Sequence, residues 1–93
     1  MYNILLIEAY YRLGDIETAN KMAATLKMNV YQDMDYFISL GKKYSSYLMY
    51  EKRVAFYSMT ELARLGETYK QPELKKEIDQ KIQEFSGALN IGM

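Results

Sequence analysis

The acidic pair in Asp33-Met34-Asp35 is the nearest approach to a chemical signature in this chain. A D-x-D spelling can hold a divalent metal with a nucleotide when both carboxylates converge on one point. On a continuous helix, side chains two positions apart diverge by about 200°, so the pair reads as solvated helix charge. Glu73, Glu77 and Glu84 form a second acidic set, but they interleave with Lys75, Lys76 and Lys81. Acid/base work by paired carboxylates needs burial that raises one of the two pKa values. Alternation with lysine instead suits weak ion pairs on an exposed helix face. The chain has no His and no Cys. That removes imidazole and thiolate metal sites, Ser-His-Asp and Cys-His nucleophiles, haem ligation and disulfides. No glycine-rich phosphate loop is present either, so the expectation is no enzymatic activity, no metal and no cofactor.

These residues must be positioned by a small, aromatic-rich helical chain. Its 93 residues are enough for one domain, spanning 1–93, with little stability to spare. Twelve Lys plus Arg balance twelve Asp plus Glu, so no overall field favours nucleic acid. Ten Tyr, no Trp, one Pro and five Gly describe a helical protein rather than a β-sandwich or a disordered segment. The longest apolar run, Ile4 to Ile7, is stopped by Glu8, far short of a membrane span. Without a basic N-terminal flank or secretory cleavage site, the chain is expected to be soluble.

Hydrophobic periodicity predicts four helices. The first runs to about Arg12, with Leu6, Tyr10 and Leu13 in three- and four-residue steps. Gly14 then supplies a left-handed cap, and Asp15 caps the next helix. Helix two carries Ala19, Met22, Ala23, Leu26, Val30, Met34 and Phe37 on one stripe. No Gly or Pro interrupts it before Gly41, so one helix should run unbroken through Asn29 and Asp33 to near Leu40. A polar tip at 41–46 follows, with a Ser as the cap of helix three, which runs from about Tyr47 to Tyr69. One face of that helix holds Leu48, Ala55, Met59, Leu62 and Gly66. Another holds Tyr50, Val54 and Tyr57, and a helix apolar on two faces is usually sandwiched. Gln71-Pro72 ends it, Pro72 suiting the first turn of helix four. Leu74, Ile78, Ile82 and Phe85 make the single apolar stripe of that helix, whose charged opposite face would close the stack. Fraying is expected from Gly87 onward.

Leu62-x-x-Leu65-Gly66-x-x-Tyr69, followed by Ile78, Ile82 and Phe85, resembles the tetratricopeptide pattern W-x-x-L-G-x-x-Y, with Leu62 where the family has Trp. Leu6, Tyr10, Gly14-Asp15 and Ala19 fall at the family's Leu, Tyr, turn and helix-two Ala positions. Departures are Asn3 at the Trp position, Ile7 at the first Gly and Ala23 at the aromatic. Tyr10 and Tyr69 also lie well over one ~34-residue period apart, an excess that lengthened middle helices would absorb. The resemblance implies an all-α fold of two antiparallel hairpins, with Gly66 at a close helix–helix approach; the same periods also fit a plain four-helix array.

In that family the first helices form a groove, and Ile4, Glu8, Tyr11 and Arg12 are the matching partner-binding candidates. Tyr and Arg are frequent at binding hot spots. Ile4, Glu8, Ala63 and Glu67 occupy the positions at which many members grip a partner's C-terminal carboxylate. They are apolar or acidic, opposite in character to such a clamp. A second candidate patch lies at the helix two–three tip, where Lys42, Lys43, Tyr44, Tyr47, Lys52 and Arg53 mix basic and aromatic groups suited to anionic lipid head groups.

A further run, Leu6-Ile7-Glu8-Ala9-Tyr10-Tyr11-Arg12-Leu13-Gly14-Asp15 with Asp35-Tyr36-Phe37, resembles a known C-terminal region. It occurs in polytopic membrane proteins of Bacteroidetes whose cores are similar to protein O-mannosyltransferases and which carry a domain of unknown function. That resemblance implies a soluble appendage of a membrane-anchored parent, on its extracytoplasmic face. The expected function is a non-catalytic protein-interaction or scaffold domain, its partner another protein or the parent membrane core. The alternatives are an accessory that guides substrate to the glycosyltransferase core, through an aromatic platform near Tyr44 and Tyr47, or a purely structural helical cap. A docking module predicts a concave face with Tyr11 and Arg12 exposed. Two hairpins are fewer than the three repeats a solenoid usually needs. Stability must then come from longer helices, self-association or a neighbouring domain, with an apolar patch expected near Leu5 or Tyr11.

Overall fold

The computed structural model describes residues 4–40 and 48–89. They form an all-α array of four helices: α1 (Ile4–Arg12), α2 (Ile16–Ser39), α3 (Met49–Thr68) and α4 (Pro72–Leu89). Short turns fold α1 back on α2 and α3 back on α4, while α2 touches all three other helices.

Local chemistry sets the first turn. Gly14 sits at φ +82°. Its N–H reaches the Tyr11 carbonyl at 3.1 Å, and the Asp15 N–H reaches that of Tyr10 at 3.0 Å. This paired closure consumes two carbonyls that the end of α1 would leave orphaned. Asp15 then caps α2, its carboxylate accepting from the Thr18 N–H at 3.2 Å. The α3–α4 turn repeats the closure with different residues. Lys70 takes the left-handed position at φ 57°. The Gln71 N–H reaches the Gly66 carbonyl at 2.7 Å, and the Lys70 N–H that of Glu67 at 3.4 Å. The two hairpins therefore differ in register. The left-handed residue follows Tyr10 by four positions in the first, and follows Tyr69 by one in the second.

Burial of the α2 stripe follows the expected period: Ala19, Ala23, Leu26, Val30, Met34 and Phe37 all face the core, and the helix is continuous through Asn29 and Asp33. Opposite them, α3 contributes Ala55, Phe56, Met59, Leu62, Ala63 and Leu65, α1 contributes Ile7 and Tyr11, and α4 contributes Ile78 and Phe85. Leu74 and Ile82 pack at the edge of this cluster.

At Gly66, α3 runs close against the start of α4. A Cβ built there would lie 3.0 Å from the Lys75 amide nitrogen and 3.1 Å from the Gln71 carbonyl oxygen. A side chain there would force the neighbouring backbone to give by a few tenths of an ångström, a close approach that suits glycine.

Four expectations are corrected. The buried stripe of α1 is Ile7 and Tyr11, not Leu6 and Leu13. Tyr50 and Tyr57 are 76% and 64% exposed rather than sandwiched. The contact arc of α3 extends instead to Phe56, Ala63 and Leu65, covering about half the circumference at ~100° per residue. Helix α3 starts from Leu48, in the left-handed region at φ 57° and without any side-chain cap, so no Ser serves there. Finally, α4 continues past Gly87 to Leu89.

Candidate docking surface

The groove candidates on α1 turn out to build an internal seam. Tyr11 is 3% exposed, which corrects the expectation that it stands on a free surface. Its ring stacks on Tyr69 with centroids 5.2 Å apart and planes within 8°. Its hydroxyl donates to Asn20 Oδ1 at 2.6 Å. Asn20 Nδ2 donates on to Gln71 at 3.4 Å, and Gln71 Nε2 to the Tyr69 carbonyl at 3.2 Å. One polar loop thereby ties α1, α2 and the α3–α4 turn together.

Glu8 anchors the other side of Tyr69, accepting from its hydroxyl at 3.1 Å. Arg64 approaches both oxygens of the same carboxylate, at 3.2 and 3.4 Å. Arg64 also pairs with Glu61 at 3.3 Å. Hydrogen bonding from Arg64, helped by Tyr69 and the charge of Arg12, outweighs desolvation and holds the Glu8 carboxyl below its ordinary pKa. Burial pushes the Tyr11 hydroxyl up. Arg12 stays exposed and donates to the Tyr69 oxygen at 3.2 Å. Ile4 packs half-buried against the core. Glu8, Tyr11 and Arg12 are thus engaged with α3, and only the Arg12 head group is presented outward.

With that seam on one side of α1, the opposite side is apolar and uncovered. Leu5 is 82% exposed, Leu13 79% and Leu6 47%, with Ala9 exposed between them. Ile16, at the start of α2, adds an edge. Isolated exposed leucines are ordinary, but here several share one helix face, with exposed Arg12 at its margin. A helix with apolar residues on two faces is usually placed between neighbours, and α1 has them on one side. Leu5 was anticipated in this role. Leu6, Leu13 and Ile16 were not, because both faces of α1 are apolar and the sequence offers no contrast to choose between them.

The remaining candidates divide. Lys52 is 2% exposed, so it is not a surface charge of the tip patch; Arg53 is exposed. Lys42, Lys43, Tyr44 and Tyr47 lie outside the described residues. Asp33 and Asp35 flank fully buried Met34 on the unbroken α2, as a divergent pair must. Among the described residues no group of acidic side chains is placed to hold a metal ion. Glu77 departs from the solvated reading, since it accepts from the Tyr31 hydroxyl at 2.8 Å and from Lys27 Nζ at 3.1 Å. Desolvation raises its pKa, but those two bonds together prevail and leave it lowered. A carboxyl held ionised in this way is a poor general acid at neutral pH. Burial, and then the same bond, push the Tyr31 hydroxyl strongly upward. Lys81 lies 5.3 Å from the Tyr31 ring centroid, making this a cation–π and ion-pair clasp between α2 and α4. Beside it an open cleft of about 260 Å³ runs between Asn20, Lys27, Gln71, Leu74 and Glu77.

Among the described residues no helix is long and apolar enough to cross a membrane. No protein-family model, curated protein or solved structure matches this chain. Among the described residues, what is defined is a class of architecture, an all-α array of two hairpins with an exposed apolar face on α1.

Proposed function

We propose that this chain is a non-catalytic protein-interaction domain, a tetratricopeptide-like docking module whose contact surface is the outer face of α1. The observation that carries the reading is the exposure of Leu5 and Leu13 on a helix whose opposite face is already packed. Apolar contact is the chemistry that surface offers. Arg12 borders that surface, while Glu8 and Tyr69 behind it are committed to the internal seam. The close approach at Gly66 supports the tetratricopeptide-like part of the reading. Attachment to a membrane-embedded, glycosyltransferase-like parent rests on the sequence resemblance alone.

The test is titration of the domain against the parent membrane core reconstituted in lipid nanodiscs. Saturable binding is expected, and the double variant Leu5→Glu/Leu13→Glu should abolish it while keeping the helical circular dichroism. Turnover of a sugar nucleotide by the isolated chain, with no affinity for the core, would overturn the reading.

A further inference from the structure

We draw no further inference here: the strongest candidate, the open cleft between α2 and the first turns of α4, has Lys27 paired with Glu77 and Asn20 bonded to Gln71 along its walls, and nothing in the structure points to a ligand that would displace those partners.

Discussion

Replacing Gly66 with alanine should lower the stability of this domain by about 1 kcal/mol, against the usual direction for glycine in a helix. Within a helix, Gly→Ala ordinarily gains about 1 kcal/mol from backbone propensity. At Gly66 the new methyl would meet the Lys75 amide nitrogen at 3.0 Å, the Gln71 carbonyl oxygen at 3.1 Å and Lys75 Cβ at 3.2 Å. Two of those atoms are backbone, fixed by the closure of α3 and the first turn of α4, so neither can swing aside. Overpacking of this kind costs about 1–3 kcal/mol, which exceeds the propensity gain. Gly87 is the matched control, because nothing lies within 4 Å of its added Cβ. Gly87→Ala should therefore stabilise by up to about 1 kcal/mol, less any fraying of the last turn. Thermal unfolding followed by far-ultraviolet circular dichroism resolves the difference, since 1 kcal/mol moves Tm by ~4–8 °C in a domain of this size. The expected order is Gly87→Ala above the parent chain and Gly66→Ala below it. Equal or higher Tm for Gly66→Ala than for Gly87→Ala would mean that α3 and α4 do not approach as described.

Other outcomes follow from the same packing. Met59→Ala, at a fully buried site, should cost about 2–5 kcal/mol in chemical denaturation, whereas Leu13→Ala on the open face of α1 should stay within ~0.5 kcal/mol. Glu8 and Glu77 have folded pKa values below their ordinary 4.5, so their contribution is complete above that pH and drains away as pH falls through the lowered values. Acid titration of Tm should show this loss, and it should be smaller in Glu8→Gln. Tyr31 has the opposite sign: its folded pKa is raised above 10.0, so its contribution is complete below pH 10 and is lost as pH climbs towards the raised value. Tyr31→Phe should flatten that alkaline limb.

Much of the architecture was legible because punctuation and period are local properties. Gly14-Asp15, the uninterrupted α2 stripe and Gln71-Pro72 each act within a turn or two of chain, and each falls where the residues indicated. Phase was harder. On α1, Ile7/Tyr11 and Leu6/Leu13 are both apolar series, and periodicity cannot say which meets the core. The same ambiguity misplaced Tyr50 and Tyr57 on α3. The seam was out of reach for a different reason: Tyr11 and Tyr69, or Tyr31 and Glu77, are distant in sequence and meet only through the stacking of helices. Burial of Lys52 runs against the usual exposure of lysine, so residue type alone pointed to the surface.

The length of α2 has a consequence for how this domain comes apart. Its 24 residues run about 36 Å, most of the 45 Å long dimension, and the helix touches α1, α3 and α4 alike. In arrays of independent units, terminal units can melt while the rest persist, and denaturant curves broaden. Here both hairpins share one spine, so loosening either end strips the support from the other. Unfolding should therefore be a single concerted step, with ring stacking between Tyr11 and Tyr69 and backbone helicity vanishing at the same denaturant concentration.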